Sequence, residues 1–390
     1  MQKVLKELSF PREVNLLFLS IFLFAIANGI NMVTFPALLN KNNVESSHIG
    51  FAFTFDIAGN IIMSFLLSRI VAKLTIGKGF KIASFSYASI ILISYFYQNL
   101  FLWIFLVFLM GNLWFMQVIT RQSWLNILVN NERRGIAIGI LSTAVSIGIA
   151  LGPLIVKILG SSNYFSFVTS AIFVIGSYFC LKPLFNNSEP KITSERISFL
   201  QFFRNNPRAF LARFFVDFQI YLCFSFTVIF GIGIGLKSEI AGLLISAYMT
   251  SAFFDLWVGF ALKKWDPYKL INCGFLGSLI CFIGIIFFKQ YYIFLLISYF
   301  FFGITIAMIY VSVFKVINED YSKEKLVAAN ATFQLIGSCG ALSGTLLCGF
   351  LVKIFNASGF PITIILGCVC YLSFLVFYEK KISKNKQLSY

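Results

Sequence analysis

The chain is a succession of long apolar runs separated by short polar ones, with no sustained alternation at a period of two. A helix that crosses a bilayer needs about 20 apolar residues, and runs of that length with few or no charges recur along the whole sequence. The pattern predicts twelve spans, at residues 14–38, 49–71, 81–97, 100–122, 136–158, 164–186, 209–234, 240–262, 271–288, 291–314, 327–353 and 358–378. These runs are too long, and too rich in Gly, Ser and Ala, for the strands of a membrane barrel, which alternate over about ten residues. The expected class is all-α integral membrane, with no stretch left over for a soluble domain.

Composition agrees, since 59% of the 390 residues are hydrophobic and 12% charged, against about 25% charged in soluble domains. A net charge of +16 would suit nucleic acid if it were clustered, but the basic residues fall in alternate loops. Of the 31 Lys and Arg, 26 lie on one side, and Lys41, Lys157, Lys237, Lys289 and Lys353 make up the 5 on the other. Loops rich in Lys and Arg stay in the cytoplasm, so both termini and the central loop are expected there. The expected partner is the lipid bilayer and not nucleic acid. The first apolar run is too long for a signal-peptide core and lacks a small-x-small cleavage site, so it is expected to remain as span 1.

The chemistry on offer is sparse. All eight cysteines lie inside expected spans without metal-ligand spacing, and His48 is the sole histidine, so neither a metal nor a cofactor is expected. No G-x-x-x-x-G-K-[ST] loop is present, which excludes a built-in nucleotide fuel. A membrane-embedded enzyme would need convergent catalytic groups, and the loops supply neither a histidine cluster nor paired acidic motifs. No enzyme is expected.

The longest polar segment runs from Asn186 to Arg208 and separates six spans from six. The expected domains are 1–186 and 209–390, each a six-helix half, joined by a cytoplasmic linker over 187–208. Matches at an offset of 191 to 192 residues support a repeat. Ser47-His48-Ile49-Gly50 matches Ser238-Glu239-Ile240-Ala241, Glu132-Arg133 matches Glu324-Lys325, and Gly148 and Gly152 match Gly340 and Gly344. Two parallel halves related by an axis along the membrane normal are one of the repeat arrangements of secondary transporters.

Around Trp124-Leu125-Asn126, through Glu132-Arg133-Arg134-Gly135 and into span 5, the chain resembles the major facilitator superfamily, and the likeness extends over nearly its full length. Gly139, Gly148, Gly152 and Pro153 have the spacing G-x8-G-x3-G-P, similar to the motif of the drug/proton antiporter branch found in bacteria. The pattern departs where Val156 and Lys157 stand in place of a Gly-Gly pair. Small residues four apart also let helices approach closely, so a packing seam explains the same residues. Between spans 2 and 3 the family's G-x-x-x-D-R-x-G-R-K survives in worn form, with Ser68 for the glycine, Ala72 for the aspartate and Lys73 for the arginine. The equivalent after span 8 has Gly259, Lys263 and Lys264, again without the aspartate. The resemblance implies two pseudo-symmetric six-helix bundles, small-molecule transport, a monomer and a bacterial inner membrane.

Ionisable groups inside spans are the most informative residues, because each costs about 2.5–3.5 kcal/mol at a helix centre and needs a partner or water. Asp56 in span 2 heads a stripe with Asn60, Ser64 and Ser68 at four-residue spacing; interhelical hydrogen bonding and proton carriage both fit it. In span 7, Arg213, Asp217 and Tyr221 repeat at four, within ion-pair reach, as a fixed salt bridge or a coupling switch. In span 8, Asp255 follows Tyr248 and Ser251 on a shared face, as a gate contact or a binding group. Span 4 carries Trp114, Gln117, Arg121 and Trp124 on one side, where the guanidinium could hold an anion, pair with Asp217 or Asp255, or snorkel to the interface. Gln122 stands where relatives often carry a carboxylate. Asn28 and Asn31 in span 1, Tyr310 in span 10, and Asn330 with Gln334 in span 11 complete the polar set. By resemblance, helices 1, 4, 7 and 10 line a central cavity, which favours Asn28 and Tyr310.

The sequence therefore points to a secondary active transporter of a small solute working by alternating access, with protons as the expected coupling ion for efflux or antiport. A transporter-like sensor or scaffold, and facilitative uptake of a metabolite, are the alternatives.

Overall fold

A computed structural model describes residues 10–73, 76–96, 99–129, 131–186, 198–320 and 326–387. The side chains of Ser68, Ala72, Lys73, Gln122, Asn126, Glu132, Arg134, Gly135 and Asn330, together with Glu324, Lys325 and linker residues 187–197, lie outside the described residues.

Among the described residues there are twelve long helical elements. They are α1 (Arg12–Lys41), α2 (Ser46–Lys73), α3 (Ile76–Phe96), α4 (Leu100–Leu128), α5 (Asn131–Leu159), α6 (Tyr164–Leu181), α7 (Pro207–Gly233), α8 in two parts (Ser238–Thr250 and Phe254–Ala261), α9 (Pro267–Phe288), α10 (Tyr292–Asp320), α11 (Leu326–Phe355) and α12 (Gly359–Gln387). A short helix, Phe199–Asn205, precedes α7. Polar residues at the run boundaries set where helices start. The side chains of Asn99, Asn163, Asn206 and Asp266 accept from backbone N–H groups of the first turns of α4, α6, α7 and α9, satisfying donors that have no partner inside the helix. Pro207 and Pro267 occupy first-turn positions, where their missing N–H costs nothing. Gly235, two residues beyond α7, takes φ 93°, the left-handed conformation that ends a helix at no steric cost in glycine.

Span 8 departs from the continuous helix expected over 240–262. A 3₁₀ turn at Ser251–Phe253 divides it, directly after Thr250, whose hydroxyl donates to the Ala247 carbonyl at 2.8 Å. Such back-bonding competes with the main-chain ladder and bends helices.

The chain divides into two compact units, Met1–Ser194 with Gly235–Thr250, and Glu195–Ile234 with Ser251–Tyr390. In the first unit α1 packs on α5 and α6, α2 on α4, and α3 on α6 and α4, while the first part of α8 packs on α5. Backbone contact fixes the α1–α5 crossing. A Cβ on Gly152 would meet the Gly29 backbone, and one on Gly29 would meet the Ile149 carbonyl. Gly148 seats against Phe22 and Ala25 of α1, whereas Gly139 has nothing within 4 Å. Without a hydrophobic drive between helices in lipid, this closeness is what supplies contact. The first part of α8 is held by Ser246 Oγ donating to the Ala150 carbonyl at 2.7 Å, and by Glu239, which accepts from Ser161 N at 2.9 Å and Ser161 Oγ at 2.6 Å.

The second unit repeats the scheme: α7 packs on α11 and α12, α9 on α10 and α12, and the second part of α8 on α10. Gly340 and Gly344, the repeat partners of Gly148 and Gly152, seat on the Phe214 backbone and on Phe218 of α7. The α9–α12 contact centres on Phe275 stacked against Tyr371 at 3.9 Å between ring centroids. Large apolar side chains such as Phe101, Ile158, Ile293 and Phe377 are left uncovered by protein, as a surface that meets lipid tails requires.

Candidate functional site

Asp56 lies about 15 Å along α2, where the helix meets α4. A Cβ on Gly111 would overlap the Asp56 carbonyl, and one on Gly59 would overlap the Phe108 carbonyl, so two glycines hold the α2 backbone against α4 on either side of the carboxylate. The Asp56 side chain is partly exposed. Among the described residues it makes no ion pair or hydrogen bond, and its electrostatic neighbour is Tyr87 of α3. Tyr87 OH donates to Asn28 Oδ1 at 3.0 Å, and Asn28 Nδ2 donates to the Phe24 carbonyl at 2.8 Å. One turn further along α1, Asn31 Oδ1 accepts from Ser170 Oγ of α6 at 2.7 Å. The buried Asn31 Nδ2 has no hydrogen-bond partner among the described residues. The first unit thus places Asp56 beside the Tyr87–Asn28 hydrogen bond, with the Asn31–Ser170 pair one turn further along α1. Asn60, one turn below Asp56, is 4% exposed and both its side-chain polar atoms lack partners among the described residues. Ser64 donates back to the Ile61 carbonyl at 2.7 Å.

Arg121 sits apart, sealed in a neutral cage. It is 1% exposed. Its Nε donates to Ser20 Oγ at 3.2 Å, its Nη1 to the Gln117 carbonyl at 3.0 Å and its Nη2 to Ser177 Oγ at 3.0 Å. Phe24 and Phe80 lie at 4.5 and 4.9 Å from its guanidinium carbon. No described carboxylate reaches it. The side chain is therefore held by hydroxyls, a carbonyl and ring faces, which stabilise a desolvated cation without neutralising it. Gln117 is buried beside it with its Nε2 unpartnered among the described residues. Trp124 joins an apolar cluster with Val14, Leu17, Phe80 and Tyr178, and Trp114 is partly exposed.

In the second unit, Asp217, Tyr310 and Gln334 converge on Arg213. Arg213 Nη2 pairs with Asp217 Oδ2 at 2.6 Å and donates to Gln334 Oε1 at 2.9 Å, and Nε donates to the Phe333 carbonyl at 3.3 Å. The rings of Phe333 and Tyr310 lie 4.3 and 5.0 Å from the guanidinium carbon, and Tyr221 is a further electrostatic neighbour. Gly337 makes this possible, because a Cβ there would collide with Asp217 Oδ2 and with Arg213. The cluster is a buried, compensated ion pair. Tyr248 is buried in the first part of α8, and Asp255 opens the second part with its side chain partly exposed. The 3₁₀ turn at Ser251–Phe253 lies between them.

Sequence spacing did not single out Tyr87, Ser20, Ser177, Phe24, Phe80 or Gly337. Each gains its role from a neighbouring helix. The only local signal is an isolated hydroxyl, ring or glycine within an apolar run.

Twelve long helical elements on a repeated packing scheme, with paired and unpaired charges inside the spans, define a polytopic membrane protein. The family model of the Major Facilitator Superfamily matches residues 17–254 and 209–389, and the chain belongs to that superfamily. No curated protein matches the sequence. Among solved structures it is similar to the nucleoside transporter NupG (13% identity, TM-score 0.75, covering 95% of this chain and 99% of that one). It is also similar to a bacterial homolog of the human lysosomal transporter Spinster in an inward-facing and occupied conformation (15% identity, TM-score 0.71, covering 93% and 94%). A third is a POT family transporter in complex with a thioalcohol-conjugated peptide (12% identity, TM-score 0.72, covering 95% and 96%). At these identities the likeness is one of fold. The family and these structures are transporters, not enzymes.

Proposed function

We propose that this protein is a proton-coupled secondary transporter that exchanges a small solute by alternating access, in the manner of an antiporter. The six-helix halves 1–186 and 209–390 rock about a site near the membrane midplane, with the linker 187–208 and both termini on the cytoplasmic side of a bacterial inner membrane. The working unit is a monomer. The observation that carries the coupling is the contrast between two carboxylates. Asp217 is neutralised by Arg213 at 2.6 Å, while Asp56 has no basic partner among the described residues and lies beside the Tyr87–Asn28 hydrogen bond. An unpaired acid at membrane depth is a group that accepts and returns a proton in the course of a cycle. A nucleoside and a peptide conjugate are associated with neighbours in fold, so the fold leaves the cargo open and the side chains must decide it.

The test is flux through purified protein in liposomes, with and without an imposed pH gradient. Coupling predicts flux that follows the gradient in the wild type and loses that dependence in Asp56→Asn. Flux indifferent to the gradient, and unchanged in Asp56→Asn and Asp217→Asn, sinks proton coupling and leaves facilitated diffusion. Absence of flux for every solute tried favours a sensor or scaffold.

A further inference from the structure

We infer that the transported solute carries a protonated amine, and that Asp56 with Asn60 on α2 is where the amine docks. The inference rests on the transporter reading above and adds the chemical class of the cargo. Among the described residues, the charged side chains well inside the spans are Asp56, Arg121, Arg213, Asp217 and Asp255. Arg121 is an enclosed cation: each of its three nitrogens donates to a first-unit group, and Phe24 and Phe80 lie against the guanidinium. It is 1% exposed, so an anion has no route to it in this arrangement. Arg213 is also sealed, at 2% exposure, and Asp217 already neutralises it. Arg213 Nη1 has no hydrogen-bond partner among the described residues, but it is as buried as the rest of the side chain and its charge is met by Asp217.

The carboxylates give the opposite result. Asp56 and Asp255 are partly exposed, and neither ion-pairs with a described residue. The accessible, uncompensated charge inside the spans is therefore negative, and its natural complement is a cation. Asp56 has the better-built surroundings. Asn60 lies four residues on, on the same helix face, 4% exposed and with both Oδ1 and Nδ2 unpartnered among the described residues. A buried amide oxygen left unsatisfied is unfavourable, and a ligand that supplies a donor to Oδ1 relieves that part of the cost. Asp56 and Asn60 Oδ1 together present acceptors to an ammonium with several N–H groups. Tyr87, the electrostatic neighbour of Asp56, packs on Phe24 with ring centroids 5.6 Å apart, so the wall behind the carboxylate is aromatic and carries no cation of its own. A quaternary ammonium, which has no N–H, would satisfy the charge but not Asn60.

Matched probes separate these cases. Full-length protein in lipid nanodiscs is titrated with phenethylamine, phenethyltrimethylammonium, phenethyl alcohol and 3-phenylpropionate, and binding is read by calorimetry. The expected order is the primary amine tightest, the quaternary ion weaker, and the alcohol and the carboxylate at least tenfold weaker than the amine. Asp56→Asn should weaken amine binding at least tenfold, and Asn60→Ala should weaken the primary amine more than the quaternary ion. The Asn60 variant keeps the test alive if Asp56→Asn fails to fold. Preferred binding of 3-phenylpropionate, equal binding of all four probes, no binding of the amine, or amine binding unchanged in both variants overturns the inference. Binding in nanodiscs is independent of flux, so amine binding without transport would sink the transporter reading and leave the amine site standing, whereas flux of an anionic solute would do the reverse.

Discussion

Removing the acid from the Arg213–Asp217 pair should be the most destabilising single change among the site residues. The pair is nine-tenths buried or more on both sides, 2.6 Å long and hemmed in by Gly337. Deleting one partner of a buried pair leaves the other as an uncompensated charge, at a cost of about 3–5 kcal/mol. Deleting both leaves a polar gap but no orphan charge. The perturbation is therefore a cycle of Asp217→Asn, Arg213→Met and the double variant. Asp217→Asn alone should cost roughly 3 kcal/mol or more, and the same substitution on the Arg213→Met background less than about 1 kcal/mol, since Arg213 is then no longer stranded. For a folding unit of this size each kcal/mol moves the melting temperature by about 2–4 °C, so the single change should lower it by roughly 6–12 °C or more. Cys223, Cys348 and Cys368 are buried free thiols, all in the second unit, so a thiol-reactive fluorophore added during a thermal ramp reads the unit in which the pair resides. Additive effects, with Asp217→Asn costing as much without Arg213 as with it, would refute the reasoning. So would a single-variant loss below about 1 kcal/mol.

The remaining expectations follow from the same contacts. Gly152→Ala places a methyl on the Gly29 backbone and should cost about 1–3 kcal/mol by overpacking. Gly139→Ala, in the same motif, meets nothing within 4 Å and should be neutral or gain up to about 1 kcal/mol of helix propensity; equal effects in melting curves would refute a packing role for the motif. Ser177→Ala strips one acceptor from the buried Arg121 and should cost about 1.5–3 kcal/mol, with Arg121→Met restoring part of that loss in the double variant. If Arg121→Met on the Ser177→Ala background is as damaging as alone, the cage does not act as described.

The helices were legible in the sequence because length and apolarity alone decide them, and the repeat because Gly148 and Gly152 recur as Gly340 and Gly344 on an equivalent crossing. The break in α8 was not legible. No proline or glycine marks Ser251–Phe253, and a Thr hydroxyl turned back on its own helix leaves no trace in a hydropathy profile. The clusters were legible only along single helices. Spacing of four is enough to place Arg213 beside Asp217, but that Gln334, Phe333 and Tyr310 close around them depends on how α7, α10 and α11 pack. The same limit applies to Arg121. The sequence supplies the stripe with Gln117, while Ser20, Ser177, Phe24 and Phe80 come from three other helices and decide that the cation is enclosed.

The interrupted α8 also has a mechanical consequence. Its counterpart in the first repeat, α2, runs unbroken for 28 residues and acts as a stiff rod that passes torque from one end to the other. The 3₁₀ turn gives α8 a soft joint where the hydrogen-bond ladder changes register. Ser238–Thr250 is anchored through Glu239 to Ser161 and through Ser246 to Ala150, so the joint falls where those anchors end. Two repeats of common plan are thus unequal as levers, with the compliance concentrated in the later copy.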